Sequence, residues 1–236
     1  TITKISYFSL LLAFIPVSFI AGNMIININI ILIIVSALFV FKKSLFKVNY
    51  SLLDKLIILF FFLVLVTGIF NDIQIHIKDR EFSVWRGGYG TIIKSIFFFK
   101  YLLLYFTLRY LIENKIINFK IFFLSCSLSS LFVCLDIFFQ FFFGKDIFGY
   151  EIIYGRKLSG PFGDELIAGG YIQRFSLFAF FLIPIFYNSI STRLLKCIIS
   201  VLIVIFLFGL ILSGNRMPLI LFVFALSLIM LFQKTN

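Results

Sequence analysis

The chain is short of charge. Only 13% of its 236 residues are Asp, Glu, Lys or Arg, about half the ~25% of a soluble domain, which excludes an ordinary water-soluble globule. Acids are scarcest, ten against 21 Lys and Arg. Histidine occurs once, at His76, and cysteine three times, at Cys126, Cys134 and Cys197. With no C-x-x-C pair and no clustered histidine, neither zinc nor a redox dithiol is encoded, and no metal or cofactor is expected. Cys126 and Cys134 lie about 12 Å apart along one helix, too far for a disulfide, so the cysteines read as packing residues. A mean hydropathy of +1.14 and 36 Phe also exclude a disordered tail, a collagen-like chain and a disulfide-rich module.

What is present is apolar surface. Hydrophobic residues make up 62% of the chain and arrive in blocks close to the ~20 residues that cross a bilayer. The expected fold is all-α, a polytopic transmembrane helical bundle forming a single domain over 1–236. Eight spans are predicted, at about 5–21, 25–41, 56–70, 91–111, 119–143, 171–187, 197–213 and 217–232. Lys42, Lys43 and Lys47, then Arg109, Lys115 and Lys120, then Arg193 and Lys196 mark three connections as cytoplasmic, and with Lys4 and Lys234 they place both termini there. The net charge of +11 is accounted for by such loops. It forms no patch with interleaved stacking aromatics, so no nucleic-acid partner is expected. Connections 22–24, 71–90, 144–170 and 214–216 then face outward and are mixed in charge. Trp85, Tyr89 and Tyr101 fall at the outer boundary as interfacial anchors. No internal repeat supports an inverted-repeat transporter. The chain opens on Thr1 and closes on Asn236 with no polar tail at either end, and it reads as the N-terminal portion of a longer protein.

One outward loop differs chemically. Residues 144–170 hold seven of the fourteen glycines, which suits close backbone approach to a phosphate or sugar, or a flexible connector. Arg156 and the carboxylates Asp164 and Glu165 lie together in it. Arg156 either clamps a diphosphate bidentately or pairs with Asp164 or Glu165 to hold the loop. Gln173 and Arg174 reach back toward the loop from the head of span six, where snorkelling to lipid phosphate is the simpler role for Arg174. Arg216 is the one charge in the turn Ser213-Gly-Asn-Arg216-Met-Pro218, either a lipid-headgroup anchor or part of the same anion site as Arg156. Asp136 and Gln140 share a face of span five and serve helix pairing or a substrate pocket, with Lys100, Arg174 or Arg216 as partners for the acid. Asn27 and Asn29 read as interhelical hydrogen-bonding groups. His76 lies in an outward loop without a serine or cysteine motif beside it.

The runs Asp136 to Gly149, Gly155-Arg156-Lys-Leu-Ser-Gly160-Pro-Phe-Gly-Asp164-Glu165-Leu-Ile-Ala-Gly169 and Ser213-Gly-Asn-Arg216 resemble the O-antigen ligase and O-antigen polymerase superfamily of bacterial membrane proteins. The resemblance covers roughly residues 136 to 218; the remainder resembles the family only in hydropathy and span spacing. It implies a membrane glycosyltransferase of the C type, inverting and metal-independent. Such an enzyme takes a glycan from an undecaprenyl diphosphate carrier at the periplasmic face of the bacterial inner membrane. The implied acceptor is a lipid A core sugar, a growing polysaccharide or protein. By this analogy Arg156 and Arg216 bind the diphosphate as catalytic groups. Arg174, Asp164, Glu165, Asp136 and Gln140 are the substrate-binding set drawn from the residue reading. Family members carry a proposed acid or base histidine in a larger outward loop further along, a position that His76 does not occupy. The rival from another class is a transporter or flippase for a lipid-linked or anionic solute, which should show discontinuous spans.

Overall fold

The computed structural model describes residues 2–46, 50–78, 90–152, 157–183 and 191–233. Among these the chain is helical and has no strand, only an isolated antiparallel bridge between Lys145 and Glu151. The α-helices are α1 (Ile2–Ile20), α2 (Asn23–Phe41), α3 (Leu52–Lys78), α4 (Gly90–Glu113), α5 (Phe119–Phe143), α6 (Ala168–Ser176), α7 (Thr192–Leu212) and α8 (Arg216–Gln233). Five stretches among the described residues are long and apolar enough to cross a membrane: Asn23–Phe41, Leu52–Ile73, Gly90–Glu113, Phe119–Phe143 and Arg193–Leu212. The 25 residues of α5 rise about 37 Å, more than the ~30 Å hydrocarbon core. Large apolar side chains such as Phe39, Phe97 and Phe142 point away from the protein, where only lipid tails can cover them at no cost. The protein is membrane-embedded.

The first and last apolar runs form the shorter apolar helices Tyr7–Ile20 and Arg216–Ile229. The run at 171–187 begins as the nine-residue α6 and passes at Leu177 into a 3₁₀ segment, Leu177–Leu182. Helix α3 continues to Lys78, so the backbone of His76 is helical, where the sequence reading had a loop. Trp85 and Tyr89 lie outside the described residues.

The chain packs as two compact units, 27–117 and the combination of 1–26 with 118–236. In the first unit, α3 and α4 form a hairpin tied at both ends by buried carboxylates. Asp54 closes a capping box with Ser51, accepting from the Ser51 backbone N at 2.5 Å and its Oγ at 2.6 Å. Asp54 also pairs with Arg109 and accepts from the Tyr105 hydroxyl at 2.7 Å. At the far end Asp72 accepts from the amides of Thr91 and Ile92, at 3.3 and 2.9 Å, capping the start of α4. Between these ties the backbones come close at Gly68, where a Cβ would fall 2.2 Å from Ser95 Oγ. Lys100 donates to Asn27 on α2, an interhelical bond of the kind read for that asparagine, and it also lies over the Tyr101 ring.

In the second unit α5 is the central helix, capped at its start by the Asn118 side chain and ended by Gly144 at φ 75°. Helix α1 packs along it through Ser125 Oγ, which donates to the Ala13 carbonyl at 2.5 Å, and α7 packs where Gly209 meets Cys134. Val133, Ile137, Ile172, Phe206, Leu210 and Phe222 fill the space between. Cys126 and Cys134 are buried in this core and Cys197 is exposed.

Candidate functional site

The second unit holds the loop that follows α5. Its first part is a tight hairpin, residues 145–151. Asp146 Oδ1 accepts from Tyr150 N at 2.5 Å, Asp146 N donates to Tyr150 O at 3.0 Å, and Lys145 pairs with Glu151 at 3.0 Å. Two side chains of α5 seat this loop from below. Asp136 Oδ1 accepts from Ile147 N at 2.8 Å; Gln140 Oε1 accepts from Gly160 N at 2.9 Å and its Nε2 donates to Tyr150 O at 3.4 Å. The four-residue spacing of Asp136 and Gln140 puts both on one helix face, and both are fully buried. Gly160, at φ 54°, then turns the chain into the short 3₁₀ turn Gly160–Phe162, and Gly163 at φ 59° turns it out again.

Beyond this turn lies a cleft of about 930 Å³. It opens between the start of α6 and the Ser213-Gly-Asn-Arg216 turn that leads into α8. Lys157, Arg174 and Arg216 line it, and among the described residues no carboxylate does. All three cations are exposed, and none forms an ion pair among the described residues. The two walls are fastened together where Asn215 Nδ2 donates to Leu166 O at 3.0 Å. They approach so closely that a Cβ on Gly169 would fall 2.5 Å from Ser213 Oγ. Tyr171, Ile172 and Phe175 bury the inner face of α6 and leave Arg174 on the outer one, a turn beyond Gly170. Pro218 sits in the first turn of α8, where its missing N–H is no loss.

The electrostatics of the cleft have one sign. Arg216 is the first residue of α8, and Ile167 and Gly170 at the start of α6 also line the cavity. Helix N-termini carry unpaired N–H groups and a partial positive charge, so cations there raise the potential further. Three cations and two such helix starts in one cavity favour an anion of more than one charge.

The predicted site residues divide four ways. Arg174 and Arg216 come together at the cleft; the shared anion site was read for Arg216 with Arg156, which lies outside the described residues. Asp136 and Gln140 are brought together under the loop, where Asp136 Oδ1 and both polar atoms of Gln140 meet backbone groups, and they do not line the cleft. Lys100 is bonded to Asn27 in the other unit. Asp164 and Glu165 are exposed, outside the cleft lining, and unpaired among the described residues. Lys157 is the lining residue that sequence reading passed over; its signal was its place beside Arg156 in a loop otherwise read for one cation. Among the described residues no group of three or more His, Cys, Asp or Glu gathers to hold a metal. In comparisons with family models, curated proteins and solved structures, the chain finds no match.

Proposed function

We propose that this protein is an O-antigen ligase or polymerase-like glycosyltransferase, moving a glycan from an undecaprenyl diphosphate carrier to a lipid A core or a growing polysaccharide. The observation that carries the reading is the cleft lined by Lys157, Arg174 and Arg216, with no carboxylate among the described residues. Breaking the bond between sugar and diphosphate builds negative charge on the leaving oxygens, and fixed guanidinium groups stabilise that charge as it develops. Arginine suits this task because it stays charged and grips phosphate with two parallel hydrogen bonds. In this reading Arg216 and Arg174 hold the diphosphate, Lys157 adds a third positive charge, and Arg156, the neighbour of Lys157 in the sequence, joins the clamp. Asp136 and Gln140 act at a distance by holding that loop, while Asp164 and Glu165 at its rim orient the acceptor. The proposed topology has eight crossings in the inner membrane, cytoplasmic termini and the cleft on the periplasmic face, which gives a C-type membrane glycosyltransferase. Replacing Arg216 or Arg156 by Ala in the whole protein is expected to abolish glycan transfer to the acceptor, measured by the loss of glycan-bearing product, with membrane insertion unchanged. Full transfer by both variants would sink the diphosphate clamp.

One observation favours a second reading, a transporter or flippase. The run beginning at α6 leaves α-helical geometry at Leu177, and broken segments are how transporters build their sites. Movement of labelled carrier lipid across reconstituted vesicles without glycan transfer would favour that reading. Transfer in the same vesicles without lipid movement favours the enzyme.

A further inference from the structure

Two acids at the base of the 145–151 hairpin lack a counter-charge among the described residues. Asp136 is fully buried and Asp146 is 3% exposed. Each carboxylate makes one hydrogen bond through Oδ1, to Ile147 N and Tyr150 N respectively. Each Oδ2 is buried and has no hydrogen-bond partner among the described residues. The amide held by Asp136 is the one that follows Asp146 in the chain, so both acids stand at the same end of the hairpin. No described cation reaches them: Lys145 is engaged by Glu151, and Lys157, Arg174 and Arg216 line the cleft.

A lone buried carboxylate is among the costliest groups in a fold, and two close together repel one another as well. A water molecule would supply hydrogen bonds but leave both charges uncompensated. The donors at hand are all oxygen. Besides the two free Oδ2 atoms, Gln140 Oε1 sits one helical turn from Asp136, and its single bond to Gly160 N leaves a lone pair over. The Gly160 backbone lies close to Asp136, since a Cβ there would stand 3.7 Å from Oδ2, in ordinary contact, and a tighter 3.1 Å from Ile137 Cγ1. Oxygen-only, irregular donor sets of carboxylates and amide oxygens match Ca²⁺ better than Mg²⁺, which demands a near-regular octahedron, or Zn²⁺, which prefers nitrogen and sulfur.

We propose that Asp136 and Asp146 bind a divalent cation of the calcium class that pins the hairpin to α5. The site stands apart from the cleft and does not depend on the glycosyl-transfer reading. Its test uses the full chain, purified in detergent and stripped with a chelator, with Ca²⁺ as the probe. Saturating Ca²⁺ is expected to raise the melting temperature by about 5 °C at a hundredfold excess over Kd and to protect residues 144–163 from limited proteolysis. Asp136→Asn and Asp146→Asn each keep the Oδ1 acceptor and remove the charge, so both should abolish the calcium increment. If either variant fails to fold, proteolysis of the unaltered chain with and without Ca²⁺ still decides. Identical melting and proteolysis with and without Ca²⁺ would overturn the proposal, as would an increment retained in both variants. It also falls if Ca²⁺ has no effect while Arg156→Gln destabilises the protein as much as Asp136→Asn, which would make the guanidinium the counter-charge.

Discussion

At the scale of single residues, the polar groups that matter most are those with no water to fall back on. Asp54 is fully enclosed, and Arg109, Tyr105 and Ser51 surround its two oxygens. Removing one partner of such a buried pair leaves the other uncompensated, whereas removing both leaves only a packing change. Arg109→Leu is therefore expected to lower the melting temperature of the purified protein sharply. The double variant Asp54→Leu with Arg109→Leu should recover part of that loss. A double variant less stable than Arg109→Leu alone would show that the pair does not act as a unit. Gln140 is a parallel case in the other unit: Gln140→Leu strands the amide of Gly160 and should cost about 1–3 kcal/mol, read as a lower denaturation midpoint and faster cleavage of the loop. None of these couplings follows from residue type, because Asp54 and Arg109 are 55 positions apart and the sequence offers each several partners.

At the scale of elements, the helices approach as closely as they do because small residues stand at the crossings. Gly209 of α7 lies against Cys134 of α5, and a Cβ there would meet the thiol sulfur at 2.6 Å. Gly68 does the same for α3 and α4. In a membrane, where lipid tails are as apolar as leucine, such close packing supplies much of the association between helices. Gly209→Ala is expected to cost about 1–3 kcal/mol by overpacking, and Cys134→Ala should restore most of it by removing the sulfur. Equal destabilisation by Gly209→Ala with and without the Cys134 change would mean that the contact is not what fixes the spacing. Hydropathy made the long helices readable, and it could not show that the run beginning at α6 changes to a 3₁₀ segment at Leu177. That change is a matter of hydrogen-bond pattern within an unbroken apolar stretch.

For the whole molecule, charge asymmetry between loops sets the orientation proposed here. On a background without native cysteines, Asp164→Cys should react with an impermeant maleimide in intact cells freed of their outer barrier. Asn114→Cys should react only after the inner membrane is opened. Both positions are exposed in the fold, so accessibility depends on the side of the membrane rather than on burial. Labelling of both from outside, or the reverse order, would invert or break the eight-crossing topology. The cleft gives a second whole-molecule expectation: inorganic pyrophosphate should protect Arg216 from guanidinium-directed modification. Rising ionic strength should weaken that protection, because the attraction comes from several exposed cations.

The sequence by itself determined the class of the protein. Long apolar runs in a chain with so few charges leave helices in a membrane as the one solution that satisfies the backbone. Glycine density set apart residues 144–170, and Arg174 at the head of its span and Arg216 as the one charge of its turn could be picked out as cations. Only the tertiary structure decided how those residues are used. It joined Arg174 and Arg216 with Lys157 around one cleft, through the fastening of Asn215 to Leu166. It turned Asp136 and Gln140 toward the loop's backbone, when their spacing gave a shared helix face and said nothing of what that face would meet. Periodicity reports which side of a helix is polar; the partner across from it is chosen by how the chain returns, and that return is settled by packing among helices distant in sequence.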